Sequence, residues 1–217
     1  QVTYKGRNYF MIKVFDVSGW QSDDKGNSVV DWQGMIDEGF TGVIIKIGES
    51  TSFDNDFIDH ANKAVEYGLK YGVYTFSRAT SVDGAIKEAE AVDSWIKEYL
   101  NGQNPELGIW FDMEPDSSMI DCNDSVTARC SAFISKLNEI GYNYVGLYSG
   151  WKYLSKESAE HQIDIDELAD YVPYWVAQYN SHNDLADEYP NANIVMWQYT
   201  DKYSDDLPYD AEEYYTL

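Results

Sequence analysis

Residues 72–102 read GVYTFSRATSVDGAIKEAEAVDSWIKEYLNG, a strand signal followed by a helix signal. The run from Gly72 to Phe76 is rich in β-branched and aromatic residues and predicts a strand. Apolar residues then recur at helical spacing and predict a helix over 82–100, which Ser81 begins and Asn101-Gly102 ends. This stretch is therefore one unit of strand and helix.

The same alternation continues on both sides of this unit through the first 150 residues. Further strands are predicted at 11–14, 43–47, 107–111 and 144–148. Further helices are predicted at 57–65 before Gly68, at 126–140 before Gly141 and, shorter, at 32–36 before Gly39. Five strands that alternate with helices indicate a parallel sheet, because each crossover helix returns the chain to the same edge.

After residue 148 the pattern changes, because the connections lack a long amphipathic helix. Strands are predicted at 174–177 and 194–199 and, weakly, near Tyr209, between segments rich in Asn, Asp, Ser and Pro. Eight strands with five helices indicate a single α/β domain, a (β/α) barrel whose last three helices are absent or vestigial. An open doubly wound sheet is the alternative architecture.

The chain of 217 residues is strongly acidic, with 38 Asp and Glu against 15 Lys and Arg and a net charge of −23. Such a surface repels phosphate backbones and anionic lipids, so nucleic-acid binding is close to excluded. No apolar stretch approaches the roughly 18 residues of a spanning helix, so no membrane insertion is expected. The acidity slightly favours a location outside the cytoplasm.

Two cysteines, Cys122 and Cys130, lie eight residues apart. This count fits one small disulfide loop in an exported protein and fits two unpaired thiols equally well. Neither C-x-x-C nor a cluster of Cys and His occurs, which removes the usual zinc and redox interpretations.

Carboxylates and aromatic residues follow several predicted strands. The most informative of these strand ends is Asp112-Met113-Glu114. Residues two apart on a strand point to the same face, so the two carboxyls share one cleft. Their repulsion, with Trp110 and Phe111 lowering the local dielectric, is expected to raise the pKa of one carboxyl, as a general acid requires. Glycoside cleavage needs this pairing of a proton donor with a stabilising carboxylate. The alternative is a chance pair facing solvent, because the chain has 38 acidic residues.

Asp16 ends another predicted strand and adds a third carboxyl to the same end of the barrel. Aromatic side chains near this rim are candidates to stack on pyranose faces, and core filling is the alternative for each of them. The aromatic candidates are Trp20, Tyr148, Trp151, Trp175, Tyr179 and Trp197.

Other catalytic arrangements fit the sequence less well. Residues 146–150, GLYSG, do not form the G-x-S-x-G elbow, and no Ser, His and Asp are placed as a triad. Neither G-x-G-x-x-G nor a phosphate-binding glycine loop occurs. His60, His161 and His182 are scattered and fit surface or capping roles. The sequence therefore predicts neither a metal site nor a cofactor.

Seven segments together resemble the lysozymes (N-acetylmuramidases) of glycoside hydrolase family 25, in the order found in that family. They are Phe15-Asp16-Val17-Ser18-Gly19-Trp20-Gln21 with Val30-Asp31-Trp32, Gly42-Val43-Ile44-Ile45-Lys46, Gly72-Val73-Tyr74-Thr75-Phe76, Trp110-Phe111-Asp112-Met113-Glu114, Gly146-Leu147-Tyr148-Ser149, Trp175-Val176-Ala177-Gln178-Tyr179 and Trp197-Gln198-Tyr199-Thr200. The resemblance implies a flattened (β/α)5(β)3 barrel. It also implies hydrolysis of the β-1,4 bond between N-acetylmuramic acid and N-acetylglucosamine in peptidoglycan, without metal or cofactor.

The resemblance also implies roles for single residues. Glu114 is similar to the general acid, and Asp112 to the carboxylate that orients the substrate's 2-acetamido group during its attack on the anomeric carbon. Asp16 is similar to the first-strand aspartate that positions substrate. Asp210, in Tyr209-Asp210-Ala211-Glu212, takes the place of a fourth acid, with Asp201 as its competitor. The spacing of the carboxyls leaves the stereochemistry open, and the resemblance implies net retention through an oxazoline.

This chain departs from the family at three places. The asparagine of the family's Val-Asp-x-Asn motif and the glycines before it are missing, and Thr75 stands where many relatives have histidine. Residues 1–10 precede the usual start and are expected to be an N-terminal extension to a catalytic domain over 11–217. The side chains expected to contact the glycan are Tyr74, Tyr148, Trp151, Trp175, Gln178, Trp197 and Gln198.

The leading hypothesis is therefore a monomeric muramidase, secreted or acting at the cell wall, whose partner is peptidoglycan. A chitinase-like N-acetylhexosaminidase is the alternative among enzymes, because such enzymes also place a strand-end Asp-x-Glu beside an acetamido group. A catalytically silent sugar-binding module is the alternative from another class, and the intact acids argue against it.

Overall fold

The computed structural model describes residues 2–4 and 7–216, and its elements follow the alternation expected from the sequence. The strands within these ranges are β1 (Val2–Tyr4), β2 (Arg7–Val17), β3 (Phe40–Glu49), β4 (Ser52–Phe53), β5 (Lys70–Phe76), β6 (Ile109–Asp112), β7 (Val145–Gly150), β8 (Pro173–Ala177), β9 (Asn193–Thr200) and β10 (Ala211–Thr216). The α-helices are α1 (Trp32–Asp37), α2 (Phe57–Glu66), α3 (Val82–Tyr99), α4 (Ser117–Ile120), α5 (Val126–Ile140), α6 (Trp151–Leu154) and α7 (Asp184–Glu188).

Eight of the strands close into a barrel, which decides against the open sheet. Parallel pairing runs from β2 through β3, β5, β6, β7 and β8 to β9. The last strand, β10, is antiparallel to both β9 and β2 and closes the barrel between them. β1 and β4 are short additions, antiparallel to β2 and β3.

The helices confirm the predicted (β/α)5(β)3 pattern. The helices α1, α2, α3 and α5 follow the first four barrel strands, with α4 as a short extra turn before α5. The connections after β7 and β8 hold only α6 and α7, of four and five residues. None of the helices in the described part of the chain is long and apolar enough to cross a membrane.

Two boundaries differ from those expected. The weak strand near Tyr209 begins two residues later, at Ala211, because Tyr209 ends a loop in which its carbonyl accepts from the Tyr203 amide. The expected extension, residues 1–10, contains β1 and the start of β2, so its boundary falls inside a barrel strand, and Phe10 pairs with Thr216. Within that extension, Gln1, Lys5 and Gly6 lie outside the described residues.

The barrel interior is filled by aromatic and aliphatic side chains that leave one end open. Trp110 lies at its centre, edge-on to Trp175 at 5.9 Å between ring centroids, with its indole nitrogen donating to the Leu107 carbonyl at 2.8 Å. Gly146 lets this indole approach β7, because a Cβ there would lie 2.5 Å from the Trp110 ring. The other buried members of this interior cluster are Val14, Ile44, Leu107, Tyr148, Met196 and Tyr214.

The two cysteines are free thiols, so the candidate disulfide between Cys122 and Cys130 is not formed. Cys130 is fully buried on α5, and burial raises the pKa of its thiol to about 12. The Cys122 sulfur lies instead 3.5 Å from the Ser118 carbonyl.

A fully buried arginine ties together the loops that border the open end of the barrel. The Arg129 guanidinium on α5 donates to the Ala79 carbonyl at 2.6 Å and to the Met119 carbonyl at 2.6 Å. It also donates to the Ser125 carbonyl at 3.3 Å. Arg129 thus joins the loop after β5, the end of α4 and the start of α5.

Replacing Arg129 with leucine should destabilise the protein strongly. Two buried carbonyls lose their donors, and at about 1–3 kcal/mol for each the free energy of unfolding should fall by about 2–6 kcal/mol. Urea unfolding measures this loss, with Lys136→Leu on the same helix as the control because its ion pair with Glu90 is partly exposed. Equal losses in the two variants would contradict the role given to Arg129.

Candidate active site

At the open end of the barrel, polar side chains lie on the strands two residues after side chains of the interior core. Asp16 follows Val14 on β2, Asp112 follows Trp110 on β6, and Gln198 follows Met196 on β9. Because strand residues two apart face the same side, each of these polar groups lies directly above a core side chain. They border a cavity of about 460 Å³. Its lining residues are Asp16, Ser18, Trp20, Lys46, Glu49, Tyr74, Phe76, Arg78, Asp112, Glu114, Tyr148, Trp175, Tyr179, Gln198 and Asp210.

The backbone that carries Asp112 and Glu114 is held on both sides. The Asp112 carbonyl accepts from the Ser77 amide at 2.9 Å, and the Met113 amide donates to the Tyr148 carbonyl at 3.0 Å. The Met113 carbonyl accepts from the Ser149 hydroxyl at 2.5 Å. Neighbouring strands thus fix the position from which both carboxyls enter the cavity.

Asp112 is the most isolated carboxyl of the cavity. Only 6% of the residue is exposed, and its Oδ1 atom has no hydrogen-bond partner among the described residues. Burial, followed by the charges of Glu114 and Asp16, raises the pKa of Asp112 well above its usual value, against a smaller opposing effect of Lys46. Asp112 therefore offers a buried oxygen that is free to accept a hydrogen bond from a molecule in the cavity.

Glu114 occupies a wetter position at the mouth of the cavity, where it is half-buried. Burial raises the pKa of Glu114, Lys152 opposes this shift, and Asp16 adds to it. The two carboxyls of the Asp-x-Glu sequence thus share a cavity and differ in burial, and the pKa is raised for both rather than for one, more strongly for Asp112.

Gln198 is the centre of a hydrogen-bond network across the cavity. Its amide oxygen accepts from the Tyr148 hydroxyl at 2.9 Å and from the Tyr179 hydroxyl at 3.0 Å. These two donors orient the amide so that its nitrogen faces the carboxyls, and that nitrogen donates to Asp16 Oδ2 at 2.7 Å. Gln198 therefore links the aromatic wall to the first acid.

Asp210 and Glu212 are the further carboxyls beside this amide. The Gln198 nitrogen lies 3.4 Å from Asp210 Oδ2 and 3.3 Å from Glu212 Oε1. Burial, followed by the charge of Asp16, raises the pKa of Asp210 to about 8. The competing candidate, Asp201, is exposed and is not part of the cavity lining, whereas Asp210 is.

Glu212 is the buried acid that the sequence reasoning missed. It is fully buried behind the cavity lining, and burial with the charge of Asp16 raises its pKa well above the usual value. The available signal was Asp210-Ala211-Glu212, a second Asp-x-Glu with the same two-residue spacing as the first.

A basic and aromatic wall lies across from these acids. Glu49 accepts from Lys46 at 2.9 Å and from Arg78 at 2.9 Å, and both cations lie near the Phe76 ring. Two large rings stand at the rim, Trp20 with 92% of its surface exposed and Tyr179 with 55%. Lys46 and Glu49 were recognised as the end of a strand, but neither they nor Arg78 were predicted as site residues, because an ion cluster at a strand end carries no distinctive sequence pattern.

The side chains expected to contact a glycan fall into three groups. Tyr74, Tyr148, Trp175 and Gln198 line the main cavity, as given above. Trp151 and Gln178 line a smaller, mostly apolar pocket of about 280 Å³, and Glu114 and Tyr179 line this pocket as well.

Trp197 lines neither pocket. It precedes Gln198 on β9 and therefore points to the opposite face. There its indole nitrogen donates to the Gln178 carbonyl at 2.9 Å, and its ring packs against Tyr199. Trp197 thus supports the backbone of the smaller pocket from outside.

A further cavity, of about 390 Å³, lies beside the start of β8 and the end of α7. Two of its three acids are engaged in structural contacts: Asp166 pairs with Lys156 at 2.6 Å, and Glu188 accepts from the Ser155 hydroxyl at 2.6 Å. The third, Asp170, is exposed, so this cavity lacks the buried, unpaired carboxyl oxygen that Asp112 provides at the barrel end. Within residues 2–4 and 7–216, no group of three or more His, Cys, Asp or Glu side chains is arranged to hold a metal ion.

Comparison with known proteins relates this barrel to a single family. The sequence model described as "Glycosyl hydrolases family 25" matches residues 15–206. The muramidase of Trichobolus zukalii is similar in structure, with a TM-score of 0.71 and 23% identity over 95% of this chain and 94% of that one. The catalytic domain of endolysin ply40, from bacteriophage P40 of Listeria monocytogenes, has a TM-score of 0.68 and 25% identity, with the same two coverages of 95% and 94%.

The modular autolysin LytC of Streptococcus pneumoniae, solved in complex with a synthetic peptidoglycan ligand, has a TM-score of 0.72 and 22% identity. The alignment covers 99% of this chain and 52% of LytC, so the chain spans about half the length of that protein. A search of curated protein sequences found no significant match.

Asp112→Asn should stabilise the protein at alkaline pH, because it replaces a buried carboxyl with an uncharged amide of similar size. The pKa of Asp112 is raised in the folded state, so its favourable contribution is complete below about pH 4 and is lost as the pH rises through the folded pKa. We expect the melting temperature of D112N to exceed that of the wild type at about pH 8 and to approach it at about pH 4.

The matched control is Asp121→Asn, which removes one exposed carboxyl. Thermal melts of the three proteins across this pH range make the measurement. An advantage of D112N that does not grow with pH would show that burial of the Asp112 carboxyl is not the cause.

Proposed function

Because the chain belongs to glycosyl hydrolases family 25, we propose that it is a lysozyme. Its substrate on this proposal is bacterial peptidoglycan, and the bond cleaved is the β-1,4 linkage between N-acetylmuramic acid and N-acetylglucosamine. We further propose that it works as a monomer, secreted or at the cell wall. The observation that carries the proposal is the Asp112 and Glu114 pair in one cavity, with the Oδ1 atom of Asp112 unpaired.

Glu114 is the general acid in this proposal. Burial raises its pKa, which keeps a proton on the carboxyl nearer neutrality than for an exposed glutamate. Its half-buried position at the mouth gives it access to an oxygen that leaves toward solvent. Protonation of that glycosidic oxygen makes the departing sugar a better leaving group.

Asp112 acts on the 2-acetamido group of the sugar bound in the main cavity. An ionised carboxylate buried at this position needs a partner, and the acetamido N–H supplies one at Oδ1. This hydrogen bond orients the acetamido oxygen toward the anomeric carbon and stabilises the positive charge that develops as that oxygen attacks. Asp16 and Asp210, held by Gln198, position the same sugar from the other side.

The smaller pocket beside Glu114 suits the departing sugar. It is lined mainly by apolar surface, including Trp151, Ala177 and Tyr179, and it meets the main cavity at Glu114 and Tyr179. A glycan that crosses both pockets would place its scissile oxygen beside Glu114. Trp20, on the far rim, offers an exposed ring for a sugar farther along the chain.

Glu114→Gln should remove nearly all activity on purified bacterial walls while leaving the fold intact. Loss of a general acid lowers the rate by about 100-fold or more, because the amide cannot donate the required proton. The assay is the release of soluble muropeptides, and mass spectrometry identifies whether muramic acid forms the new reducing end.

Glu106→Gln is the control for this variant, since Glu106 is exposed and precedes β6 at the other end of the barrel. Undiminished lysis by E114Q would refute the acid assignment. Glucosamine reducing ends, or cleavage of chitin oligomers in preference to walls, would favour the N-acetylhexosaminidase alternative. Binding to walls without any soluble product would favour the silent sugar-binding module.

Trp20→Ala should weaken glycan binding without affecting stability. The side chain is 92% exposed, so its removal should change the free energy of unfolding by less than about 0.5 kcal/mol. Loss of ring stacking should raise KM by about 2- to 10-fold, with kcat nearly constant.

Tyr171→Ala, at another exposed aromatic position before β8, controls for nonspecific loss of surface rings. Steady-state kinetics on soluble glycan fragments separate KM from kcat. The stacking role fails if W20A and Y171A have the same KM.

A further inference from the structure

Glu212 is a fully buried carboxyl that the proposed mechanism leaves without a task. It lies on β10, the closing strand, paired in register with Val14 of β2 and with Gln198 of β9. Tyr214, two residues further along β10, is a member of the interior cluster, so Glu212 faces the barrel interior as well. It is therefore held directly behind the side chains that line the cavity.

The hydrogen bonds around Gln198 leave too few donors for the carboxyls beside it. The amide nitrogen offers two N–H groups, and three carboxyls surround it: Asp16 at 2.7 Å, Glu212 at 3.3 Å and Asp210 at 3.4 Å. The amide oxygen is already occupied by two tyrosine hydroxyls. Asp16 and Asp210 border the cavity, where solvent reaches them, so the fully buried Glu212 is the carboxyl that still needs a hydrogen-bond partner.

Asp16 is the neighbouring acceptor for that carboxyl. The two side chains meet at the Gln198 amide nitrogen, which lies 2.7 Å from Asp16 Oδ2 and 3.3 Å from Glu212 Oε1, and no described N–H or hydroxyl group donates to Glu212 Oε2. Two carboxylates cannot share a hydrogen bond unless one of them holds a proton. Glu212 is the more buried partner, behind the lining, whereas Asp16 borders the cavity and receives the shorter amide bond.

We propose that Glu212 is a positioning residue that holds a proton and donates it in a hydrogen bond to Asp16, which keeps Asp16 ionised and fixed toward the substrate. The effect on rate rests on the proposed glycosidase function, whereas the shared proton does not. No covalent step is involved, because the proton stays between the two carboxyls.

The charges that face Glu212 from each neighbouring element favour retention of its proton. Asp16 faces it from β2 and Asp210 lies just before β10, whereas Tyr199 on β9 is an uncharged phenol on the opposite face of its strand. Burial, followed by the charge of Asp16, raises the pKa of Glu212 well above its usual value. Burial also raises the pKa of Asp16, but the neighbouring Glu212 and Gln198 side chains oppose that shift. Gln198 supplies the opposing effect on Glu212, through a neutral amide.

The first test measures stability against pH in the wild type, Glu212→Gln and Glu213→Gln. Glu213 is the matched control, because it is adjacent on β10, points to the other face and contacts the Tyr215 hydroxyl. The pKa of Glu212 is raised in the fold, so the wild type loses stability as the pH rises through that folded pKa. The glutamine in E212Q has no proton to lose.

We therefore expect the melting temperature of E212Q, relative to the wild type, to increase steadily above about pH 4, whereas the difference for E213Q follows no such trend. A melting-temperature difference between E212Q and the wild type that stays constant with pH would contradict the proposal that Glu212 holds a proton. This measurement needs no substrate, so it stands even if the proposed lysozyme activity fails.

The second test compares Glu212→Gln with Glu212→Leu on soluble peptidoglycan fragments. Glutamine keeps an N–H donor for Asp16, whereas leucine fills the space without one. We expect kcat of E212L to be lower than that of E212Q by about 10-fold or more, with KM similar in the two variants. We also expect the alkaline limb of the E212Q pH profile to lie at higher pH than that of the wild type.

Equal kcat values for E212Q and E212L, with both proteins folded by circular dichroism, would reduce Glu212 to a space-filling role and overturn the proposal. An unshifted alkaline limb in E212Q would also overturn it. Inactivity of the wild type itself on peptidoglycan would instead refute the proposed function. The stability test would then decide whether Glu212 holds a proton.

Discussion

The hydrogen bond from Gln198 to Asp16 spans the seam at which the barrel closes, and the rest of the site depends on it. The two residues are 182 positions apart in sequence, and their side-chain atoms are 2.7 Å apart. β10 lies between their strands and pairs with both, so the bond can form only if β10 is in its antiparallel register. Closure of the fold and assembly of the acid cluster are therefore the same event.

The interior packing explains why these acids are held in unusual protonation states. Trp110, Tyr148 and Trp175 fill the barrel directly below the carboxyls and exclude water from that side. The overall charge of −23 adds repulsion to this desolvation, and the nearby cation Lys46 is already paired with Glu49. Raised pKa values in this cluster are thus the consequence of apolar packing beneath carboxyls, with little compensation from basic side chains.

Much of this arrangement could be predicted from the sequence, because period-two patterns were visible wherever a strand was strongly marked. The Asp112 and Glu114 pair follows an apolar run, and its shared cavity was expected from spacing alone. Near the C-terminus the sequence signal for the start of β10 was weak. It was therefore not possible to assign which face of the strand the side chains of Asp210 and Glu212 occupy. A one-residue error in parity reverses the facing of a side chain, as the outward position of Trp197 beside the inward Gln198 illustrates.

The end of β6 shows how one short sequence creates two chemical environments. Asp112 is the last residue of the strand and lies over Trp110, so its carboxyl is buried against the apolar interior of the barrel. Pro115 follows Glu114 and has no amide hydrogen for a further ladder bond, so the chain turns away from the barrel after Glu114. Glu114 therefore lies beyond the sheet, where the main cavity and the apolar pocket meet. A general acid is useful only at the point where one sugar ends and the next begins, and in the proposed function the termination of this strand gives Glu114 that position.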